Sequence, residues 1–359
     1  MAKIEPDKTS IVHYNPTGLK IVESSIRITD KLLFERAEHY FNLGFVAMNS
    51  AVLHNVTDNF SREISTDPLY NFKKRYNSIA QNNPQDYYTA IDHFSKAIFL
   101  DSNYKIAYHF RGIAKFKIKD YRAAIADYTK AIQIDPNNSK AYYYRGNAKL
   151  EVKDHRGAIA DYTKSIEIDS TDSDAYFNRG IVLFEEKFYQ LAIADYTKAI
   201  EINSNEGDAY FNRGQAKDKL NDYQGAIADY SKAIGINCND ADQYETRGNL
   251  KFYLEDYLGA IEDFSRVLEI DPNNAIVYHS RGGIKWNLED YQGAAEDYSQ
   301  AIKINPTYFN AYVSRADVKW KFNDYQGAIE DYNQALEIDP KNIRLKNKVE
   351  ACKRLITNL

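Results

Sequence analysis

Arginine and aspartate recur in this chain at a fixed spacing, and they are the first residues whose chemistry calls for an explanation. An arginine stands every 34 residues, and an aspartate follows each of them sixteen residues later. Guanidinium and carboxylate groups can bind charged ligands, or they can pair with each other. The series consists of Arg111 and Asp127, Arg145 and Asp161, Arg179 and Asp195, Arg213 and Asp229, Arg247 and Asp263, Arg281 and Asp297, and Arg315 and Asp331.

The loss of both residue types together indicates that they form structural ion pairs. Upstream, where the pattern decays, the corresponding residues are Leu43 with Asn59, and Asn77 with His93. A buried guanidinium without a carboxylate would be costly, so joint presence and joint absence favour pairing over phosphate binding. If each arginine used the preceding unit's aspartate, Arg111 would face His93 and Asp331 would be left alone. We therefore expect pairing within each unit.

The remaining reactive residues form no catalytic or metal-binding pattern. Cys238 and Cys352 are too few for a disulfide framework or a zinc cluster, and they are consistent with a reducing compartment. The sequence contains no Walker loop, no nucleophile elbow and no dinucleotide fingerprint. We expect a non-catalytic protein without metal or cofactor. The seven histidines, none at metal-ligand spacing, are His13, His39, His54, His93, His109, His155 and His279.

The elements that must position these residues are pairs of helices. Seven units of 34 residues cover 102–339, and in the first unit the helices are expected near 105–118 and 120–135. An aspartate stands where the second helix needs an N-cap, except that Phe188 replaces it in the third unit, so we expect that helix to be the least firmly capped. The capping aspartates are Asp120, Asp154, Asp222, Asp256, Asp290 and Asp324.

The units resemble the tetratricopeptide repeat over 102–339. The resemblance rests on the 34-residue period, an aromatic residue and a glycine in the first helix, two alanines and an aromatic residue in the second, and a terminal proline. It implies an all-α, right-handed superhelical solenoid of helix-turn-helix repeats, whose first helices line a concave groove that holds a peptide or protein segment. The family's usual leucine at the seventh position is arginine in this chain.

The regions outside the regular repeats are less well defined. Residues 34–101 form either two degenerate repeats, 34–67 and 68–101, or one repeat with an insertion between its helices. Residues 1–33 are expected to form an N-terminal arm, in which Ile11–Tyr14 and Leu19–Val22 could pair as a hairpin. Residues 340–359 are expected to form an amphipathic capping helix, because a repeat array must cover its open end. A basic docking tail is the alternative.

Positions 2, 5, 9 and 12 of each first helix share one face, which points into the groove in the family that the chain resembles. These positions vary between units, as a shaped binding surface would, although drift would give the same variation. The middle units combine aromatic and acidic side chains, so we expect a basic or aromatic peptide ligand. The candidate residues are His109, Tyr143, Asn147, Asp174, Phe177, Asn178, Ile181, Phe184, Asp208, Phe211, Asn212, Gln215, Asp218, Asp242, Glu245, Asn249, Phe252 and Trp286.

One subtype of the family is excluded by the residues. The carboxylate clamp for chaperone tails requires lysines, asparagines and an arginine at set positions, and in this chain no fifth position is lysine and no sixth position is arginine. Asn178 and Asn212 resemble the asparagine ladder by which some arrays grip a peptide backbone.

Composition restricts the partner and the compartment. A net charge of −5 gives no overall attraction to nucleic acid or to an anionic membrane. The N-terminus lacks a signal-peptide pattern and no stretch is long and apolar enough to span a bilayer, so a cytoplasmic protein is expected. The predicted function is a protein-interaction scaffold. The alternative is a sensor whose residues 1–101 control a catalytic partner, and the sequence leaves self-association open.

Overall fold

The structure is a computed structural model that describes residues 33–48 and 84–357, and every regular element in these ranges is an α-helix. The helices are α1 (33–48), α2 (Pro84–Leu100), α3 (Lys105–Lys117), α4 (Tyr121–Ile134), α5 (Ser139–Glu151), α6 (His155–Ile168), α7 (Ser173–Glu185), α8 (Tyr189–Ile202), α9 (Gly207–Lys219), α10 (Tyr223–Ile236), α11 (Ala241–Tyr253), α12 (Tyr257–Ile270), α13 (Ala275–Asn287), α14 (Tyr291–Ile304), α15 (Phe309–Lys321), α16 (Tyr325–Ile338) and α17 (Ile343–Thr357).

The chain divides into two compact units, Met1–Val182 and Leu183–Leu359, which we call unit 1 and unit 2. In unit 1 the described helices are α1 to α6 with the first part of α7. Unit 2 contains the rest of α7 and helices α8 to α17. Within each unit, consecutive helices pair as first and second helices of 34-residue repeats. The expected all-α fold of tandem helix-turn-helix repeats is confirmed.

The two helices of a repeat approach closely because a glycine meets an aromatic ring. A Cβ atom on Gly112 would lie 2.7 Å from the ring of Tyr128, and the same distance separates Gly214 from Tyr230. Both tyrosines are fully buried. A Cβ atom at these glycines would require the ring or the helix to shift, and glycine recurs at this position in six of the seven regular repeats, with the buried Ala316 in the seventh.

The second helices begin at the predicted caps. The Asp222 carboxylate accepts a hydrogen bond from the backbone N–H of Gly225 at 3.0 Å, and the other five capping aspartates make the equivalent bond. Phe188 offers no such acceptor, and α8 begins without a side-chain cap. The expectation of a weaker start for this helix is confirmed.

The turn between the helices of a repeat is held by the backbone. One residue in each of seven turns has a φ of 61° to 65°, in the left-handed region. The next residue's N–H donates to a carbonyl five residues earlier, as Asp120 does to Lys115 at 2.9 Å. These bonds satisfy carbonyl groups at the end of the first helix. The turn residues are Lys119, Lys153, Lys187, Asn221, Glu255, Glu289 and Asn323.

In unit 1, α1 lies against α2 as a first helix lies against its second helix. A Cβ atom on Gly44 would stand 2.7 Å from the ring of Phe94, the distance also found between Gly112 and Tyr128. This contact is the one expected for a single repeat with an insertion between its helices. The assignment of residues 49–83 stays a prediction because they lie outside the described residues, as do the hairpin segments proposed for residues 1–33.

In unit 2, α17 packs on the last repeat. Leu345, Val349 and Cys352 are buried in one cluster with Tyr312 and Tyr332. Most charged side chains of α17 are exposed, whereas Lys348 contacts the last repeat. None of the helices in 33–48 and 84–357 is long and apolar enough to cross a membrane.

Candidate functional site

Six of the seven arginines pair with the aspartate of their own repeat. Arg213 donates from Nε to Asp229 at 2.8 Å and from Nη2 at 2.6 Å, a bidentate geometry. The remaining two residues of the series, Arg179 and Asp195, lie in unit 1 and unit 2 respectively. The same geometry is found for Arg111 and Asp127, Arg145 and Asp161, Arg247 and Asp263, Arg281 and Asp297, and Arg315 and Asp331.

Two further kinds of group take part in these networks, and the sequence analysis did not predict them. Lys217, four residues after Arg213, places its Nζ 2.8 Å from Asp229. The remaining guanidinium nitrogen of Arg213 donates to the hydroxyl of Thr197, on the second helix of the preceding repeat, at 3.1 Å. That hydroxyl itself donates to the carbonyl of Ile193 at 2.7 Å, so its orientation is fixed.

These two groups also repeat with the period, which is the signal that could have revealed them. A lysine follows the arginine by four residues in six of the seven regular repeats, and Leu183 takes its place in the third. A serine or threonine precedes every one of these arginines by sixteen residues, and each accepts a bond from it.

The Arg213 network has no free guanidinium edge for an external anion. In unit 2, the Asp229 side chain is 5% exposed and the Arg213 side chain 16%. The face of the guanidinium lies against Tyr210, 5.5 Å from the ring centroid. With its nitrogens bonded and its face covered, Arg213 is a structural residue that joins a repeat to the one before it.

We call the surface formed by positions 2, 5, 9 and 12 of the first helices the first-helix face. In unit 1 its predicted residues are largely occupied by contacts within the protein. Tyr143 accepts a hydrogen bond from the Asn178 amide at 2.8 Å, and Asn147 accepts one from the Tyr162 hydroxyl at 2.6 Å. The Asn178 amide is therefore used inside the fold. Asp174, Phe177 and Ile181 are half-buried.

His109 lies in the core of unit 1 rather than on the first-helix face. Its side chain is 3% exposed, and its ring packs against those of Phe110, Tyr128 and Tyr144. Burial lowers the pKa of His109 to about 4. The prediction of His109 as a ligand contact is corrected, because Tyr144 of the next first helix lies over this position.

In unit 2, the first-helix face of α9 and α11 carries carboxylates that lack a cationic partner. Asp208 and Asp218 lie on α9, and Asp242 and Glu245 lie on α11. Among the described residues, no Lys, Arg or His nitrogen forms a salt bridge with any of the four. Burial raises the pKa of Glu245, and the neighbouring Asp242 raises it further. Negative charge is therefore concentrated and uncompensated on this part of the face.

Aromatic side chains occupy other positions of the same first-helix face. Phe211 packs on Tyr230 with 5.4 Å between ring centroids, and Phe184 packs on Tyr189 at 5.3 Å. Phe252 is exposed. Further along unit 2, Trp286 is half-buried against Tyr291. Of the remaining predicted residues, Asn249 is exposed, and Asn212 and Gln215 are half-buried.

At the end of unit 2, an acidic residue on the first-helix face is paired with a lysine from another helix. Asp317, at the ninth position of α15, accepts hydrogen bonds from the Tyr332 hydroxyl and from Lys348 of α17. The Lys348 ammonium also lies 5.3 Å from the centre of the Tyr332 ring. One cation from another helix thus meets an acid and an aromatic ring together.

Fold and side-chain arrangement define a helical-repeat protein whose first helices present a variable face. Among the described residues, no group of three or more His, Cys, Asp or Glu side chains is arranged to hold a metal ion. Family models described as tetratricopeptide repeat match residues 106–138, 127–160, 173–206, 207–237, 246–308 and 281–343. The chain belongs to the tetratricopeptide repeat family, and it shares that family's role as a protein-interaction scaffold.

A solved structure with low sequence identity has the same fold, and two further likenesses have lower TM-scores. The C-terminal part of a repeat-containing protein from Cytophaga hutchinsonii is 21% identical, with a TM-score of 0.59, and the match covers 66% of this chain and 98% of that one. YrrB, described as a TPR protein with an unusual peptide-binding site, is 23% identical with a TM-score of 0.48, covering 52% of this chain and 97% of its own. MamA is 27% identical with a TM-score of 0.44, covering 46% and 96%. No curated protein shows a significant sequence match to the chain.

Proposed function

We propose that the protein is a non-catalytic scaffold that binds a basic peptide or protein segment on the first-helix face of unit 2. The observation that carries this proposal is the set of four uncompensated carboxylates on α9 and α11. A ligand with lysine or arginine side chains would place cations beside these acids, as Lys348 does beside Asp317. Phe211 and Phe252 stand on the same face of α9 and α11 as these acids, and they would offer aromatic surface to the apolar parts of such side chains.

The charge of unit 2 supports this choice of ligand. Unit 2, residues 183–359, contains 29 acidic and 21 basic side chains, so its net negative charge attracts a cationic segment over distances longer than a single contact. Unit 1 is a weaker candidate. Its polar first-helix residues Tyr143, Asn147 and Asn178 already bond within the protein.

A peptide library tests the proposal directly. Random 12-residue peptides displayed on phage are selected on the full chain at low salt, and the selected peptides are expected to be rich in lysine and arginine. Their affinity should fall at least about tenfold in the Asp242→Lys/Glu245→Lys variant, and it should also fall with rising salt.

The matched control changes the same number of charges elsewhere. Glu262 and Glu330 are exposed on the second helices α12 and α16, and the Glu262→Lys/Glu330→Lys variant should bind as the unchanged protein does. Selected peptides without an excess of basic residues, or equal weakening by both double variants, would show that the acids of α11 do not form the binding surface.

A further inference from the structure

Helix α13 contains two adjacent glycines, and only one of them has a packing reason. A Cβ atom on Gly282 would lie 2.8 Å from the ring of Tyr298, so this glycine permits the close approach of α14. A Cβ atom on Gly283 would meet no atom within 4 Å. Glycine inside a helix costs roughly 0.5–1 kcal/mol relative to alanine. Gly283 therefore weakens α13 without any gain in packing.

Gly283 stands at the ninth position, where the other repeats place a side chain on the first-helix face. Because glycine has no side chain, the surface of α13 has open space at this position. One turn before it on the same face lies His279, and one turn after it lies Trp286. The residues that fill the same position elsewhere are Ile113, Asn147, Ile181, Gln215, Asn249 and Asp317.

Both side chains that flank the space are held in place. The Trp286 ring packs against Tyr291 with 5.0 Å between centroids. The His279 ring lies 5.4 Å from that of Tyr298, and its Nε2 is 3.2 Å from the hydroxyl of Ser314. Burial lowers the pKa of His279, so its ring is neutral at physiological pH. The space above Gly283 is thus bounded by a large aromatic ring and an uncharged imidazole.

We propose that the space above Gly283 receives an apolar side chain of the ligand, so that unit 2 recognises a segment with basic residues next to an aromatic or large aliphatic anchor. This proposal rests on the proposed function. The basic residues face Asp242 and Glu245 on α11, and the anchor lies on the neighbouring first helix α13. Residues that dominate binding affinity are enriched in tryptophan and lie in well-packed pockets, and acidic side chains on the same surface favour ligands with basic residues.

The Gly283→Gln variant tests the anchor without damaging the fold. Glutamine already stands at this position as Gln215, its Cβ has free space, and it favours helix more than glycine does. The control is Gly235→Gln in the second helix α10, where a Cβ atom would also meet nothing within 4 Å. Both variants should unfold at least as late as the unchanged protein, so a change in binding reports on the site.

Tryptophan fluorescence gives the readout. The chain has two tryptophans, and replacing Trp320 by Phe leaves Trp286 as the single reporter beside Gly283. The probe is a basic peptide from the library selection, with a matched peptide in which its apolar residue is alanine. Binding of the first peptide should change Trp286 emission. Gly283→Gln should lower the affinity for this peptide at least about tenfold, as should the alanine substitution in the peptide. The alanine peptide and the Gly283→Gln variant together should show no further loss of affinity.

The outcomes separate this inference from the proposed function. Selected peptides that are basic but lack an apolar residue, or that bind the Gly283→Gln variant as tightly as the Gly235→Gln variant, overturn the anchor and leave the basic ligand intact. A selection that returns no basic peptide overturns both.

Discussion

Six of the seven repeat aspartates contact both an arginine and a lysine, and this predicts an unequal response to substitution. Asp229 accepts from Arg213 and from Lys217, whose side chains are 16% and 20% exposed. Asp229→Leu removes the carboxylate and leaves both cations without it. Arg213→Met leaves the carboxylate with Lys217 still 2.8 Å away. The aspartate variant should therefore be the less stable of the two.

The magnitude follows from the burial of the group. Removing one partner of a buried ion pair costs about 3–5 kcal/mol, because the other charge stays out of water unpaired. We expect Asp229→Leu to cost about 5 kcal/mol and Arg213→Met about 3 kcal/mol, since Lys217 still neutralises Asp229. The triple variant Arg213→Met/Lys217→Met/Asp229→Leu removes every charge at once. It should return to within about 1–2 kcal/mol of the unchanged protein.

Urea unfolding followed by circular dichroism at pH 7 measures these differences. Because repeats in an array can unfold separately, hydrogen exchange of the α9 and α10 amides assigns the loss to the altered repeat. Arg266→Met is the control, since Arg266 pairs with Glu269 at the exposed surface and should cost less than about 1 kcal/mol. The reasoning is refuted if Arg213→Met costs as much as Asp229→Leu, or if the triple variant is no more stable than Asp229→Leu.

Two further predictions concern single side chains. Burial lowers the pKa of His109 to about 4, below the unfolded value near 6.5, so its contribution to stability is lost as the pH falls from about 6.5 towards 4. His109→Phe should remove about 3 kcal/mol of that acid sensitivity in urea unfolding at pH 7 and pH 4, and an unchanged pH dependence would contradict the assignment. Phe188→Asp should raise the stability of unit 2 by about 1 kcal/mol in thermal unfolding by supplying the missing cap of α8, and no gain would show that the cap is not limiting.

The sequence predicted the features that depend on spacing alone. The helix pairs, the capping residues and the absence of a side-chain cap at Phe188 all follow from the 34-residue period. Lys217 and Thr197 were missed because lysine and threonine in a helix ordinarily read as surface residues. Only the geometry shows that both turn towards one buried carboxylate.

The first-helix face could be predicted only in part. The period identifies the face of the helix on which a residue lies, but it does not identify the side chains of the next repeat that pack against it. His109 is buried because Tyr144 follows it in space, whereas Tyr143 bonds to Asn178 at the equivalent place one repeat later. Gly283 and the unpaired Glu245 also depend on neighbours that a single repeat does not specify.

Each arginine donates a hydrogen bond to a hydroxyl of the preceding repeat, and this affects how such a chain can evolve. Every junction uses the same donor and acceptor, so deleting or duplicating one 34-residue cassette in frame joins a matching serine or threonine to the next arginine. The series also stops at the same place for both partners. Asn333 stands where the next hydroxyl would be, and Val349 of α17 stands where the next arginine would be. Recombination can therefore change the number of repeats without leaving an arginine at the new junction without its hydroxyl acceptor.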